Sequence, residues 1–93
     1  MIEIRCRINR PFYDWDGRKY LELEIDGRMV QVKVPFRYNR VMCRMSGLRT
    51  IHEFEKDEII DALLEKKIWD GQNYWIVHGV REVPPEVLND RGI

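Results

Sequence analysis

"TIHEFEKDEIIDALLEKKIWDG", residues 50 to 71, is the stretch on whose reading the fold turns. Thr50 followed three residues later by Glu53 fits a capping box, in which the Thr50 hydroxyl accepts from the Glu53 amide and Glu53 reaches back. Ile51, Phe54, Ile59, Ile60, Leu63, Leu64 and Ile68 then recur at helical spacing, with Asp57, Glu58, Asp61 and Glu65 outside the stripe. Acids crowd the start and Lys66 and Lys67 the finish, as a helix dipole favours. Trp69-Asp70-Gly71 supplies a stop. The pattern predicts one long helix.

Upstream, the segment after Pro35 fits two templates. Val41, Cys43 and Met45 alternate as in a strand, whereas Tyr38, Val41, Met42, Met45 and Leu48 fall at helical spacing. The helical template collects more matches, with Asn39 to cap its start and Gly47 its end, so a short helix near 40–46 is expected. The N-terminal third reads as strands. Ile2, Ile4, Cys6 and Ile8 alternate with Glu3, Arg5, Arg7 and Asn9 over residues 2–9, which places the Cys6 thiol among apolar neighbours. "YLELEIDGRMVQVKV", residues 20 to 34, is a hairpin about Asp26-Gly27, a pair suited to the two positive φ angles of a type I′ turn. "RPFYDWDGRKY", residues 10 to 20, is punctuated by Pro11 and Asp16-Gly17 and reads as an aromatic loop. Residues 73–83 form a last strand, with His78 on an apolar side beside Tyr74, Ile76 and Val80. Pro84-Pro85 ends it, leaving 85–93 as a tail beyond a single domain of residues 1–84.

The expected architecture is therefore α+β: a mainly antiparallel sheet of three N-terminal strands and a C-terminal strand, with one short and one long helix packed on it. The alternative is a partly open five-stranded barrel of the oligonucleotide-binding kind, which needs residues 40–46 or part of the tail to supply another strand.

Net charge is zero, with 16 basic and 16 acidic residues, but the charges are segregated. Residues 27–52 contain six basic and no acidic residues: Arg28, Lys33, Arg37, Arg40, Arg44 and Arg49. Residues 53–70 hold seven acids against three bases. An apolar share of 44% with 34% charged residues belongs to a folded domain rather than a disordered chain. No apolar run approaches the 18 or so residues that span a bilayer, and a cytoplasmic location is expected.

Two cysteines are too few for a disulfide-framed secreted domain, and they are expected to be reduced. Cys6, Cys43, His52 and His78 lack the close pairs that build zinc sites, so neither metal nor cofactor is expected. No phosphate-binding glycine motif occurs, and both cysteines fit core positions, which argues against catalysis. A helix-turn-helix reading fails because its reader helix would present Asp57, Glu58, Asp61 and Glu65 to phosphates.

A basic segment interleaved with aromatics suits nucleic acid, since arginine meets phosphate bidentately and rings stack on unpaired bases. The expected function is a non-catalytic binding module for single-stranded nucleic acid or a nucleoprotein complex. Its surface would combine Lys33, Phe36, Arg37, Tyr38, Arg40, Arg44 and Arg49 with Phe12, Tyr13 and Trp15. The alternative is a protein-interaction factor, an adaptor or a small inhibitor of the viral or mobile-element type. It would dock on a larger complex through the same arginines and aromatics, or self-associate as a homo-oligomer, basic segment to acidic helix. Both readings require those guanidinium groups to face outward, unspent by carboxylates of their own chain.

Overall fold

Residues Ile59–Trp69, inside the stretch expected to form the long helix, run as an extended strand. The computed structural model describes residues 1–35 and 40–84, with Trp69 through its backbone alone. Its strands are β1 (Ile2–Tyr13), β2 (Lys19–Ile25), β3 (Arg28–Lys33), β4 (Val41–Cys43), β5 (Gly47–Arg49), β6 (Ile59–Trp69) and β7 (Gln72–Glu82). A three-residue 3-10 turn at Ile51–Glu53 is the only helical element among the described residues. None of them forms a helix long and apolar enough to cross a membrane.

The α+β expectation is thus overturned. β1 pairs with β2 on one side and β6 on the other, β2 with β3, and β6 with β7. β3 meets β7 in parallel at Val32↔Trp75 and Lys33↔Ile76, which closes a five-stranded barrel. The β4–β5 hairpin hangs on β7 through a parallel contact of Cys43 with Val80. The barrel alternative stands nearer in strand number. However, the observed barrel is closed rather than partly open, and its extra strand is β6, not residues 40–46 or the tail.

Why is β6 not a helix? Its apolar pairs Ile59-Ile60 and Leu63-Leu64 satisfy both periods, since one member of each pair falls on any face drawn through the segment. Alanine, leucine, glutamate and lysine favour a helix, but only by tenths of a kcal/mol per residue, about 0.7 at most. Extended, the segment sends Ile60, Ala62 and Leu64 into the core. It also gains a ladder on each side, with β1 and with β7. Asp57 has a φ of 70°, which no α-helix contains, and its amide bonds to the Ile8 carbonyl at 2.7 Å. The Thr50–Glu53 pair does interact: the Glu53 carboxylate accepts from the Thr50 hydroxyl at 3.1 Å and the Thr50 amide at 3.4 Å. It caps one 3-10 turn and no more.

The short helix at 40–46 is also absent. Val41 and Cys43 are buried and Met42 is exposed, the alternation of a strand, and Gly47 turns the chain back with a φ of 78°. The expected hairpin at Asp26-Gly27 forms, with φ of 51° and 79°. Asp70-Gly71, read as a helix stop, repeats it: φ values of 52° and 77° make a second such turn, joining β6 to β7. The aromatic loop shrinks to residues 14–18, because β1 continues through Tyr13.

Two bulges set which side chains face inward. Between Ile8 and Arg10 the ladder with β2 skips Asn9, so Arg10 turns outward to pair with Glu22 instead of following Ile8 into the core. In β7 the ladder with β6 skips His78, so Val77 and Val80 are both buried and His78 is exposed. His78 is therefore a surface residue, bonded to Glu65 at 2.6 Å, and not an interior histidine. The expected tail, 85–93, lies outside the described residues.

The strand and helix readings of residues 59–68 differ in what mutation costs. On a helical stripe Leu64 and Ile68 share a face; in the barrel Leu64 is buried and Ile68 is 73% exposed. Leu64→Ala should lower unfolding free energy by about 2–5 kcal/mol and Ile68→Ala by less than about 0.5 kcal/mol, measured by denaturant titration.

Candidate functional site

The basic segment divides once it is folded. Arg49, on β5, is consumed by its own chain: its guanidinium donates to both Glu58 oxygens at 2.9 and 2.8 Å and to the Glu53 carbonyl at 2.6 Å. It also lies over the Phe54 ring, 4.0 Å from the centroid. The Arg49 guanidinium holds the Glu58 carboxyl below its usual range. Arg49 therefore clamps β5 to the chain entering β6 and leaves the candidate binding set. Lys33, at the end of β3, is half-buried, with its ammonium 5.5 Å from the centre of the Tyr74 ring. Arg40 and Arg44 are exposed, and among the described residues neither makes an ion pair with a carboxylate. Phe36, Arg37 and Tyr38 lie outside the described residues.

The aromatics divide too. Phe12 packs edge-on against Tyr20, centroids 5.8 Å apart, with the Arg10 guanidinium above it. Tyr13 stacks on His52, and its hydroxyl hydrogen-bonds the same ring at Nε2. Only Trp15 stands clear, 94% exposed on the 14–18 turn. Asp14 builds that turn. One carboxylate oxygen accepts from the amides of Asp16 and Arg18 at 3.0 and 2.8 Å, and the other accepts from the Tyr20 hydroxyl at 3.2 Å. Phe12, Tyr13 and Trp15 thus do not form one stacking platform.

Two concavities share Lys33. The first, about 450 Å³, lies where the 14–18 turn, the end of β3 and the β6–β7 turn converge, and is lined by Arg18, Tyr20, Lys33, Gln72, Asn73 and Tyr74. The second, about 650 Å³, has Lys33, Arg40 and Lys67 with His78 around Pro35, Met42, Leu48 and Ile76. Arg44 lines neither. Both volumes fall in the range of ordinary ligand clefts, roughly 300–1,000 Å³. Of the expected set, the structure brings together Lys33 and Arg40. Four lining residues of the first cleft, Arg18, Gln72, Asn73 and Tyr74, escaped the sequence reading, and a signal for three of them existed. Read as a hairpin turn, Asp70-Gly71 would have placed Gln72, Asn73 and Tyr74 at a barrel end.

Glu22, on the outer face of β2, accepts from Asn9 at 2.6 Å, Arg10 at 3.1 Å and Gln31 at 3.2 Å. These bonds, Arg10's first, pull its carboxyl from 4.5 to about 2. Burial pushes the Cys6 thiol up to about 12 and raises that of Cys43, so neither offers a thiolate at neutral pH. Among the described residues no three of histidine, cysteine, aspartate and glutamate are grouped to hold a metal.

Arg49→Ala should destabilise the fold by about 1–3 kcal/mol in thermal or chemical denaturation, because Glu58 loses a charged double hydrogen bond. Glu22 supplies a pH test. With its folded value depressed, its contribution is complete above a pH near 4.5 and is lost as pH falls through about 2. The stability difference between the parent and Glu22→Gln should therefore shrink on acidification across that window, while remaining level between about pH 6 and pH 8.

No family model matches the chain, and neither the curated proteins nor the solved structures contain a match to it.

Proposed function

We propose that the chain is a non-catalytic binding module for single-stranded nucleic acid, free or within a nucleoprotein, in the cytoplasm. The observation that carries this reading is the first cleft. Two cations, two phenol rings and two side-chain amides converge there, and no carboxylate lines it among the described residues. Each group has a role in such a complex. Arg18 and Lys33 meet phosphates, with the Arg18 fork suited to two oxygens of one phosphate. Tyr20 and Tyr74 present ring faces to unpaired bases, a contact worth about 1–3 kcal/mol per base. The Gln72 and Asn73 amides, both donor and acceptor, suit base edges.

Architecture supports the reading by analogy alone. Partly open five-stranded barrels of the oligonucleotide-binding kind use the face of their second and third strands and the adjoining loops for ligands, but fold by itself does not fix function. The competing class, a protein-interaction factor, draws support from the exposed apolar side chains of Met42 and Leu48 on the β4–β5 hairpin. Its version in which the basic segment pairs with an acidic helix of a second copy is withdrawn, since residues 59–69 form no helix.

A labelled single-stranded 12-mer should bind with a dissociation constant in the micromolar range at about 50 mM salt, read by fluorescence anisotropy. With two or three phosphates neutralised, log K should fall against log salt with a slope of roughly −1.4 to −2. Arg18→Glu with Lys33→Glu should abolish binding, and Tyr74→Ala should weaken it about tenfold. Absence of binding at that salt with tens of micromolar protein would remove the proposal.

A further inference from the structure

The second concavity differs from the first in chemistry, and the difference points to another class of ligand. Its floor is aliphatic. Met42 and Leu48 are cross-strand partners on the β4–β5 hairpin, 55% and 48% exposed, and Ile76 reaches the same surface from β7. Strand alternation explains why Met42 points outward, since Val41 and Cys43 take the core. It does not explain why Met42, Leu48 opposite it and Ile76 in the same groove are all apolar. Contiguous exposed apolar side chains of this kind mark contact surfaces. Among the described residues the one aromatic ring lining the groove is the His78 imidazole, which is bonded to Glu65, and no phenol or indole lines it.

Lys33, Arg40 and Lys67 stand around this floor, and no carboxylate lines it among the described residues. Glu65 is held by His78 at 2.6 Å and lies 4.0 Å from Lys67. The surface therefore offers apolar floor and positive rim together. β5 adds an open edge, because β4 is its sole ladder partner among the described residues.

We infer that this groove docks an acidic peptide segment of a partner protein, one carrying two or three aliphatic side chains between carboxylates. The aliphatic side chains cover Met42, Leu48 and Ile76, the carboxylates meet Arg40, Lys33 and Lys67, and the peptide backbone runs beside β5. The groove is separate from the nucleic-acid cleft except at Lys33, which lines both.

The test uses a fluorescein-labelled peptide, Asp-Glu-Leu-Val-Leu-Glu-Asp, titrated by anisotropy with the full chain. Saturable binding with a constant of tens of micromolar is expected at about 50 mM salt, weakening several-fold at about 300 mM. Leu48→Glu, Met42→Glu and Arg40→Glu should each cost about tenfold or more, whereas Gln72→Ala, in the nucleic-acid cleft alone, should change binding less than about twofold. A peptide with serine in place of its three aliphatic residues should not bind. Thermal melts check that the variants fold, and if Leu48→Glu does not, Leu48→Ser and methyl shifts of Met42 and Leu48 on peptide addition give the same reading. Any one of three results overturns the inference. No saturable binding by about 1 mM peptide would remove it, as would binding that survives Leu48→Glu in a folded protein. A groove already covered by a second copy, seen as a doubled sedimentation mass that Leu48→Glu halves, would do so too. If Met42→Glu and Leu48→Glu abolish oligonucleotide binding and leave the peptide unaffected, the groove belongs to the nucleic acid instead.

Discussion

Two residue pairs close the barrel: Val32 with Trp75 and Lys33 with Ile76, where β3 runs parallel to β7. Every other barrel contact is antiparallel and reached by a short turn or by the chain entering β6. This one is parallel and joins residues 43 apart in sequence, while the β1–β6 ladder spans a longer separation still. Closure matters because an open sheet would leave unpaired amides and carbonyls on β3 and β7, whereas a closed one removes those edges. It also requires β6 to be a strand, since only β6 connects β1 to β7.

Closure creates the candidate site. With β3 against β7, the 14–18 turn, the last residue of β3 and the turn after β6 arrive at one end of the barrel. Arg18, Tyr20, Lys33 and Tyr74 thereby converge from three separate stretches of chain. The same contact makes Lys33 the wall between a polar, aromatic cleft and an aliphatic groove. Where β3 ends, β4 takes over as the neighbour of β7, and that succession opens the groove beside Ile76.

Internal electrostatics then decide which charges remain available. Arg49, in the basic segment, serves stability, tying β5 to the approach to β6. Arg5 and Arg10 likewise meet Asp61 and Glu22. A run of like charge in sequence is thus a poor guide to a patch in space. Partner carboxylates can come from anywhere in the chain, and a bonded, partly buried pair presents little field to a ligand.

Local chemistry determined a good deal. The alternation in residues 2–9, the Asp26-Gly27 turn with both φ angles positive, and the apolar surroundings of Cys6 follow from side-chain period and backbone sterics, which act over a few residues. Asp70-Gly71 carries the same signal, but after a helical pattern the pair fits a helix stop as well as a hairpin turn. The conformation of residues 59–69 was not legible in this way. Its doubled apolar pairs serve a helix or a strand equally, and the difference comes from ladders with β1 and β7 that no local window contains. Nor could spacing reveal the bulges at Asn9 and His78, since an extra residue is defined only against a partner strand. The sequence by itself determined which short segments turn and which alternate. The tertiary structure alone decided that the sheet closes, that Arg5, Arg10 and Arg49 pair with carboxylates of the same chain, and which side chains meet, because each of these depends on which strands come to lie side by side.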